Sequence, residues 1–306
     1  MKLCQFQAAG GGRRVGVLDG DAVIDITAPR AGAGSVLELL LTGKTAAGIE
    51  RLARQLSRAP RRPRHAWAAL DRAPKGRGAG LLPPIDPPEV WGAGITYRRS
   101  REYYSEHDTG QAHRGKGIYD YVYEAERPEL FYKGSAARSV GPYGAVGLRG
   151  DSKLTVVEAE LAVVIGVGGR IVGYTVGNDM SAWDIERENP LFLPQSKIFQ
   201  GSFGFGPVIA TPASIPDAHA LPIHCVIERG GRTLWEGRAS TGDLKRRVEE
   251  LVDWLQRYNP VPAGSVLSTG TGILVPDEHA LADGDVVEIM LERVGTLRNP
   301  VRRLEA

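Results

Sequence analysis

Residues 155–169 read TVVEAELAVVIGVGG. The run has the length and apolar character of a buried β-strand closed by a glycine turn, yet Glu158 and Glu160 stand one residue apart in its middle. Side chains alternate across a strand, so both carboxyls point to one face, with Cα atoms roughly 6.6 Å apart. Two ionised carboxylates at that spacing repel by about 2.5 kcal/mol at an effective dielectric of about 20. Burial adds a desolvation cost to each. Three arrangements resolve the conflict: one carboxyl is protonated, basic side chains pair with both, or a cation lies between them. The same-face neighbours Val156, Ala162 and Val164 carry no charge, so compensation comes from elsewhere in the chain.

A third acid is near. RIVGYTV reads as a strand that follows the Gly-Gly turn and can pair with the first, and Asp179 falls at its end, where the chain turns toward SAWDIERE. Three carboxylates from neighbouring strands, with water or substrate completing six positions, suit a hard cation such as Mg²⁺ or Mn²⁺. On spacing alone, a solvated strand face serves as well. The six histidines form no zinc-ligand spacing. There is no G-x-S-x-G elbow, no phosphate-binding P-loop and no G-x-G-x-x-G opening a helix.

The 306 residues carry a formal net charge of +2, which gives no pull toward nucleic acid or a membrane surface. Cys4 and Cys225, far apart in sequence, make a disulfide scaffold improbable and suit a reducing compartment. No secretory leader and no run of transmembrane length are visible, so a cytoplasmic globular protein is expected. Gly 39 and Pro 20 point to a turn-rich, strand-rich chain rather than a helical bundle.

The N-terminal part predicts a hairpin around Asp19-Gly20 in RRVGVLDGDAVIDIT. Two helices follow, SVLELLLTGK and AGIERLARQLSR, the second with Ile49, Leu52, Ala53 and Leu56 on one face. The basic stretch RAPRRPRHAWAALDRAPKGRGAG reads as a solvated linker face. LLPPIDPPEV marks the expected boundary between a small domain over residues 1–85 and a larger one over 86–306. Beyond it, EVWGAGITY opens with a strand, RRSREYYSEH continues as a helix, and HDTGQAHRGKG is a polar glycine-rich loop. The clearest later helix is TGDLKRRVEELVDWLQRY, with Thr241 as its cap and Leu244, Val248, Leu251, Val252 and Leu255 as its apolar face. Strands SVLSTGTGIL, DVVEIMLERVG and GTLRNPVRRL end the chain.

VVEAELAVVIG, GYTVGNDMSAWD, GPVIATP, LSTGTG, LADGDVVEI and VGTLRNPV occur in this order. Together they resemble the fumarylacetoacetate hydrolase family over roughly residues 86–304. The resemblance implies an α+β, strand-rich fold: a mixed β-roll or barrel-like catalytic domain beside a small N-terminal α/β domain. It also implies a divalent metal, Mg²⁺ or alternatively Mn²⁺, held by Glu158, Glu160 and Asp179. WGAGITYRRSREYYSE, IYDYVYEAERPELFYK, ENPLFLPQSKIFQGSFGFGPVI and NPVPAGSVLSTGT resemble a branch of that family, the 2-keto-3-deoxy-D-arabinonate dehydratases. Those enzymes remove water to give 2,5-dioxopentanoate.

One departure supports that branch. Hydrolases of the family usually carry G-x-N-Y-x-x-H-x-x-E near the start of this domain, whose His and Glu activate water. Here Ser100 takes the His position and Tyr103 the Glu position. A serine hydroxyl does not titrate near neutrality and cannot take a water proton as imidazole does. Glu102 or Glu106 can in principle substitute.

A metal acting as Lewis acid on a 2-oxo acid acidifies the C3 hydrogens, and loss of the C4 hydroxyl then needs a proton donor. The resemblance makes Glu129 the first acid–base candidate, against an alternative as a surface acid beside Arg127. Lys197 is the second, either holding negative charge on the substrate or donating a proton if burial lowers its pKa. Thr271, in the Thr269-Gly270-Thr271 turn, takes the family's place for the substrate carboxylate. Arg98, Arg99 and Ser100 are candidates for substrate contact. Lys133 is divided between substrate binding and a structural partnership with the metal carboxylates, whereas Tyr103 and Tyr104 read as packing residues. The segment from His107 to Gly117 is a candidate cover for the site. The competing readings are a metal-dependent C–C hydrolase of a 2,4-diketo acid and a non-catalytic binding protein. The expected partner is a small 2-oxo sugar acid, with no nucleic acid and no membrane, in a homodimer or homotetramer.

Overall fold

The computed structural model describes residues 1–107 and 117–305. The predicted cover over His107–Gly117 therefore falls almost wholly outside the described residues. The N-terminal strands are β1 (Lys2–Gln7), β2 (Arg13–Asp19) and β3 (Ala22–Asp25), and β2 and β3 form the hairpin predicted at Asp19-Gly20. Gly20 sits at φ 60°, which a side chain would disfavour. Helices α1 (Val36–Gly43) and α2 (Ala46–Ser57) follow, each opened by a hydroxyl cap: Ser35 accepts from the Glu38 N–H and Thr45 from the Gly48 N–H. Ile49, Ala53 and Leu56 are buried on α2 as the periodicity requires. The basic stretch is not a bare linker: it holds β4 (Arg64–Ala66) and α3 (Trp67–Leu70) and ends at the start of β5 (Gly80–Leu82), with β4 adding to β3.

The larger part starts with β6 (Val90–Gly94), α4 (Arg98–His107), α5 (Ile118–Glu124) and β7 (Glu129–Gly134). Two short strands, β8 (Ser139–Val140) and β9 (Val146–Leu148), lead to the long pair β10 (Thr155–Ile165) and β11 (Ile171–Ala182). Then come α6 (Trp183–Glu188), α7 (Leu193–Lys197), β12 (Phe203–Ala210), β13 (Pro222–Arg229) and β14 (Arg232–Ser240). Helix α8 (Val248–Gln256), β15 (Val266–Thr271), β16 (Val286–Leu291) and β17 (Gly295–Arg303) complete the chain. No helix among the described residues is long and apolar enough to cross a membrane.

Helix α8 is shorter than its periodicity predicted. Thr241–Asp243 forms a separate 3-10 turn capped by Ser240, and the Thr241 hydroxyl instead accepts from the Leu221 N–H. Leu244 is buried but extended, so it joins the core from outside the helix.

Two mixed sheets result. The larger runs β4-β3-β2-β1-β12-β11-β10-β15-β6-β7, and the smaller β14-β13-β16-β17-β9. The N-terminal strands join the larger sheet directly, because β1 pairs antiparallel with β12. Strand β10 lies between β11 and β15 and is buried along all of its length. Ala162 and Val164 pack in the core formed with α1 and α2, while Leu161, Val163 and Ile165 belong to the core shared with the second sheet. Glu158 and Glu160 share the face of Ala162 and Val164, farther along the strand.

Asn299 of β17 ties the two sheets together next to this region. Its side-chain amide donates to the Gly141 and Gly144 carbonyls, at 3.0 and 2.9 Å, and its oxygen accepts from Asn178 of β11 at 3.4 Å. Replacing Asn299 by Leu leaves two carbonyls without this donor, at a cost of about 1–3 kcal/mol each. Urea unfolding of Asn299→Leu is expected to show a loss of about 2–6 kcal/mol with an unchanged m-value.

Candidate metal centre and its cavity

Antiparallel pairing of β10 and β11 places Glu158 directly opposite Asp179 and Glu160 opposite Gly177. Asp179 lies inside β11, not at its end, because the strand continues through Ala182 before α6 begins. One oxygen from each of Glu158, Glu160 and Asp179 lies within 4.8 Å of the others, and all three residues are buried.

The missing compensation comes from two lysines and several neutral donors. Glu158 accepts from Tyr104 Oη and Trp183 Nε1, both at 2.9 Å on Oε1, and from Lys197 Nζ at 2.9 Å on Oε2. Burial raises its pKa, but Lys197 and these donors outweigh burial and hold it below the ordinary value. Lys133 Nζ stands 2.5 Å from Asp179 and donates to the Met180 carbonyl at 2.6 Å. Lys197 also lies 3.5 Å from Asp179 and donates to Ser181 Oγ at 2.6 Å.

Glu160 has no lysine in contact. Its Oε2 accepts from Ser268 Oγ at 2.5 Å and from the Gly270 N–H at 2.7 Å. Burial, reinforced by Asp179 and Glu158, pushes its pKa well up. Two lysines thus serve three carboxylates, and the uncompensated one faces the other two. This donor set fits a divalent hard cation, which neutralises Glu160 without adding a protein group.

Glycines make the arrangement possible. At Gly94, opposite Glu129 on β7, a Cβ would collide with the Glu129 carboxyl, and at Gly92 it would collide with the Phe131 ring. Gly270 has φ 93°, and a side chain there would run into the Thr96 hydroxyl, which donates to the Thr269 carbonyl at 2.7 Å. Ile95 holds φ 51°, an unfavourable value for a β-branched residue, where β6 turns into α4.

A cavity of about 30 Å³, room for about two waters, adjoins the cluster. Glu129, Lys197, Ser100, Thr271, Glu158 and Glu186 all face it. Glu129 points in from β7, where burial and the Glu158 charge raise its pKa against the opposing pull of Lys197. Lys197 does not have a lowered pKa. Burial lowers it, but Asp179, Glu158 and Glu186 more than reverse this and keep it a cation. The Ser100 hydroxyl donates to the Thr271 carbonyl. The Thr271 hydroxyl is engaged with the Ala159 and Ile273 carbonyls at 3.0 and 3.1 Å, so its proton is committed to the backbone.

Three predicted substrate contacts fall elsewhere. Arg98 and Arg99 lie on the exposed side of α4; Arg98 pairs with Glu102 at 2.7 Å and Arg99 reaches the Arg238 carbonyl at 3.5 Å. Lys133 sits behind Asp179 as its ion partner and does not line the cavity. Its pKa falls to about 8, because burial outweighs the attraction of Asp179 and Lys197 adds repulsion.

Tyr104, read from sequence as a packing residue, lines the cavity and donates to Glu158. Glu186 was missed altogether. SAWDIERE offers three acids, and only the fold separates them. Asp184 binds Ser152 Oγ and the Lys153 N–H, Glu188 is exposed, and Glu186 turns inward.

The geometry fixes how metal affinity responds to mutation. Glu160→Gln is expected to weaken Mg²⁺ or Mn²⁺ binding by more than about 100-fold, since outer hydrogen-bond partners alone are worth about 10–100-fold. Ser268→Ala and Tyr104→Phe should each fall within that outer-partner range of about 10–100-fold. Isothermal titration with each metal measures both, and wild-type affinity in Ser268→Ala would refute the orientation assigned to Glu160.

The family profile described as "Fumarylacetoacetate (FAA) hydrolase C-terminal" matches residues 104–302. The chain is 48% identical over 223 residues to the 2-dehydro-3-deoxy-D-arabinonate dehydratase of Saccharolobus solfataricus, covering 73% of this chain and 74% of that protein. It is 41% identical over 218 residues to a probable 2-keto-3-deoxyxylonate dehydratase of Haloferax volcanii, with coverage of 71% and 73%. Among solved structures, a 2-keto-3-deoxy-D-arabinonate dehydratase complexed with magnesium and 2,5-dioxopentanoate superposes with TM-score 0.83 at 36% identity, over 100% of both chains. Profile, relatives and superposed structure agree, and the chain belongs to the fumarylacetoacetate hydrolase family.

Proposed function

We propose that the protein is a divalent-metal-dependent dehydratase that converts a 2-keto-3-deoxy pentonate, 2-keto-3-deoxy-D-arabinonate in the first instance, to 2,5-dioxopentanoate and water. The observation that carries this reading is the cavity that sets Glu129 and Lys197 against the three-carboxylate cluster, in a wall that holds no histidine among its described residues. Similarity to the two dehydratases and to the magnesium and product complex supports the substrate class.

Glu158, Glu160 and Asp179 would hold the cation, Mg²⁺ by the same likeness. When bound, it supplies a Lewis acid for the carboxylate and C2 carbonyl of a 2-oxo acid. Glu129 takes the C3 proton, and its raised pKa makes it a stronger base than a carboxylate in water. Lys197, a cation in the same wall, holds the negative charge that then develops toward C2. Ser100 and Thr271 also line the cavity and would position substrate by shape and through backbone groups. The cavity holds about two waters, so a five-carbon acid enters only when part of this wall moves.

Among the described residues, none of the groups expected to activate water for the hydrolase alternative acts as a base in the cavity. Ser100 is locked to a carbonyl, Glu102 pairs with Arg98 and Arg101, and Glu106 is exposed. None of the three can draw a proton from water inside the cavity. The same reading places the protein in the cytoplasm, in a pentose-oxidising route, as a homodimer or homotetramer, which size-exclusion chromatography with light scattering decides.

Purified protein with Mg²⁺ and 2-keto-3-deoxy-D-arabinonate should lose one water per turnover, read by NMR, and EDTA should abolish this. Pyruvate released from a 2,4-diketo acid, with no dehydration, would instead establish the hydrolase. Glu129→Gln should lower kcat by about 10²–10⁴-fold. Activity should fall toward acid pH through a pKa above the usual carboxylate range, because protonation of Glu129 removes the base.

A further inference from the structure

We propose that Glu186 is the second acid–base group of the reaction and delivers the proton to the departing C4 hydroxyl; this rests on the dehydratase reading above. The inference starts from stoichiometry. Turning a CHOH–CH₂OH end into CH₂–CHO moves protons at C3, C4 and C5 as well as at the leaving oxygen. With Glu129 alone, one carboxyl would have to serve every one of these positions, and a second carboxyl in the same cavity divides that work.

Glu186 is the one further carboxyl that faces the cavity besides Glu129 and the metal ligand Glu158, among the described residues. It is buried on α6, seven residues after Asp179, and Ser196 Oγ lies 3.5 Å from its Oε2. It has no ion pair among the described contacts, which separates it from Glu158 and Asp179. Burial raises its pKa to about 7, with Glu158, Glu129 and Asp179 adding to the rise and Lys197 opposing it. A carboxyl in that range still carries a proton at neutral pH and can give it away.

The two glutamates then divide the work. Glu129 takes a C3 proton, the C3 electron pair forms the C3=C4 bond, and the C4–O bond breaks with its pair on oxygen. Glu186 protonates that oxygen, and water leaves. Glu186, now a carboxylate, takes a proton from C5; the electrons shift to C4=C5 and C2=C3, and Glu129 returns its proton to C3. The remaining C4=C5 enol gains a proton at C4 from Glu186 and gives its hydroxyl proton back to it. Both side chains end as they began, and no oxidant or reductant is needed.

The test separates C3 proton removal from C–O cleavage. In D₂O with Mg²⁺, Glu186→Gln should lose dehydration by about 10²-fold or more. It should still exchange the C3 hydrogens for deuterium within about threefold of wild type, whereas Glu129→Gln loses both. A substrate with fluorine in place of the C4 hydroxyl needs no proton on its leaving group. Fluoride release by Glu186→Gln should therefore return to within about tenfold of wild type, and Glu186→Asp should recover part of the dehydration. Wild-type dehydration by Glu186→Gln overturns the proposal. So does joint loss of dehydration, C3 exchange and fluoride release, which marks a structural role. Wild-type protein that neither exchanges C3 hydrogen nor releases water refutes the dehydratase reading itself.

Discussion

The structure depends on how three carboxylates are kept together out of water. Each buried ion costs several kcal/mol in lost hydration, and close partners must return that cost. The two lysines that do so come from different elements, Lys133 from β7 and Lys197 from α7. Charge balance therefore fixes where β7 and α7 sit against the β10–β11 pair. On β7, residues 129, 131 and 133 share one face by strand alternation. The face that carries Lys133 to Asp179 thus also carries Glu129 to the cavity. Phe131 lies between them, with Lys197 Nζ 5.4 Å from its ring centre.

Environment then gives one residue type several roles. Glu158 has Lys197, Tyr104 and Trp183 on its oxygens and is held ionised. Glu160 has only a hydroxyl and an amide, and its proton affinity rises until a cation takes the proton's place. Glu129 and Glu186 have no close cation on their oxygens among the described contacts, and both rise. Partners, not residue type, thus set the proton affinity of each carboxyl in and around the cluster.

What was legible in the sequence follows from the same physics. The E-x-E strand, its antiparallel neighbour and the third acid were readable because strand alternation is local and two buried acids on one face demand a reason. The Asp19-Gly20 hairpin and the face of α2 were readable for similar reasons. The long helix expected over 241–258 shortened because tertiary contacts claimed Thr241 and Leu244. Arg98 and Arg99 were candidates for substrate contact, but helical geometry turns Ser100 and Tyr104 inward on a shared face, four residues apart, and sends the arginines to solvent. Glu186 was invisible because a short helix with three acids has no periodicity that says which one faces in. The packing of α6 against the rest of the fold decides that.

The difference between cleaving a carbon–carbon bond and expelling water lies in one wall of a shared scaffold. A hydrolase must generate a nucleophile from water, which requires a titratable base with room beside it. Here Ser100, bound to a carbonyl, and Tyr103, whose hydroxyl donates to Asp277 at 3.0 Å, take those positions, and neither is a base near neutral pH. A dehydratase has the opposite need: no activated water, and carboxyls spread along the carbon chain. Glu129 on β7 and Glu186 on α6 both face the cavity and are the carboxyls proposed for this work. The strands that hold the carboxylates need not change for either chemistry; the departures from the hydrolase pattern, Ser100 and Tyr103, lie on the helix that follows the glycine-rich β6 strand.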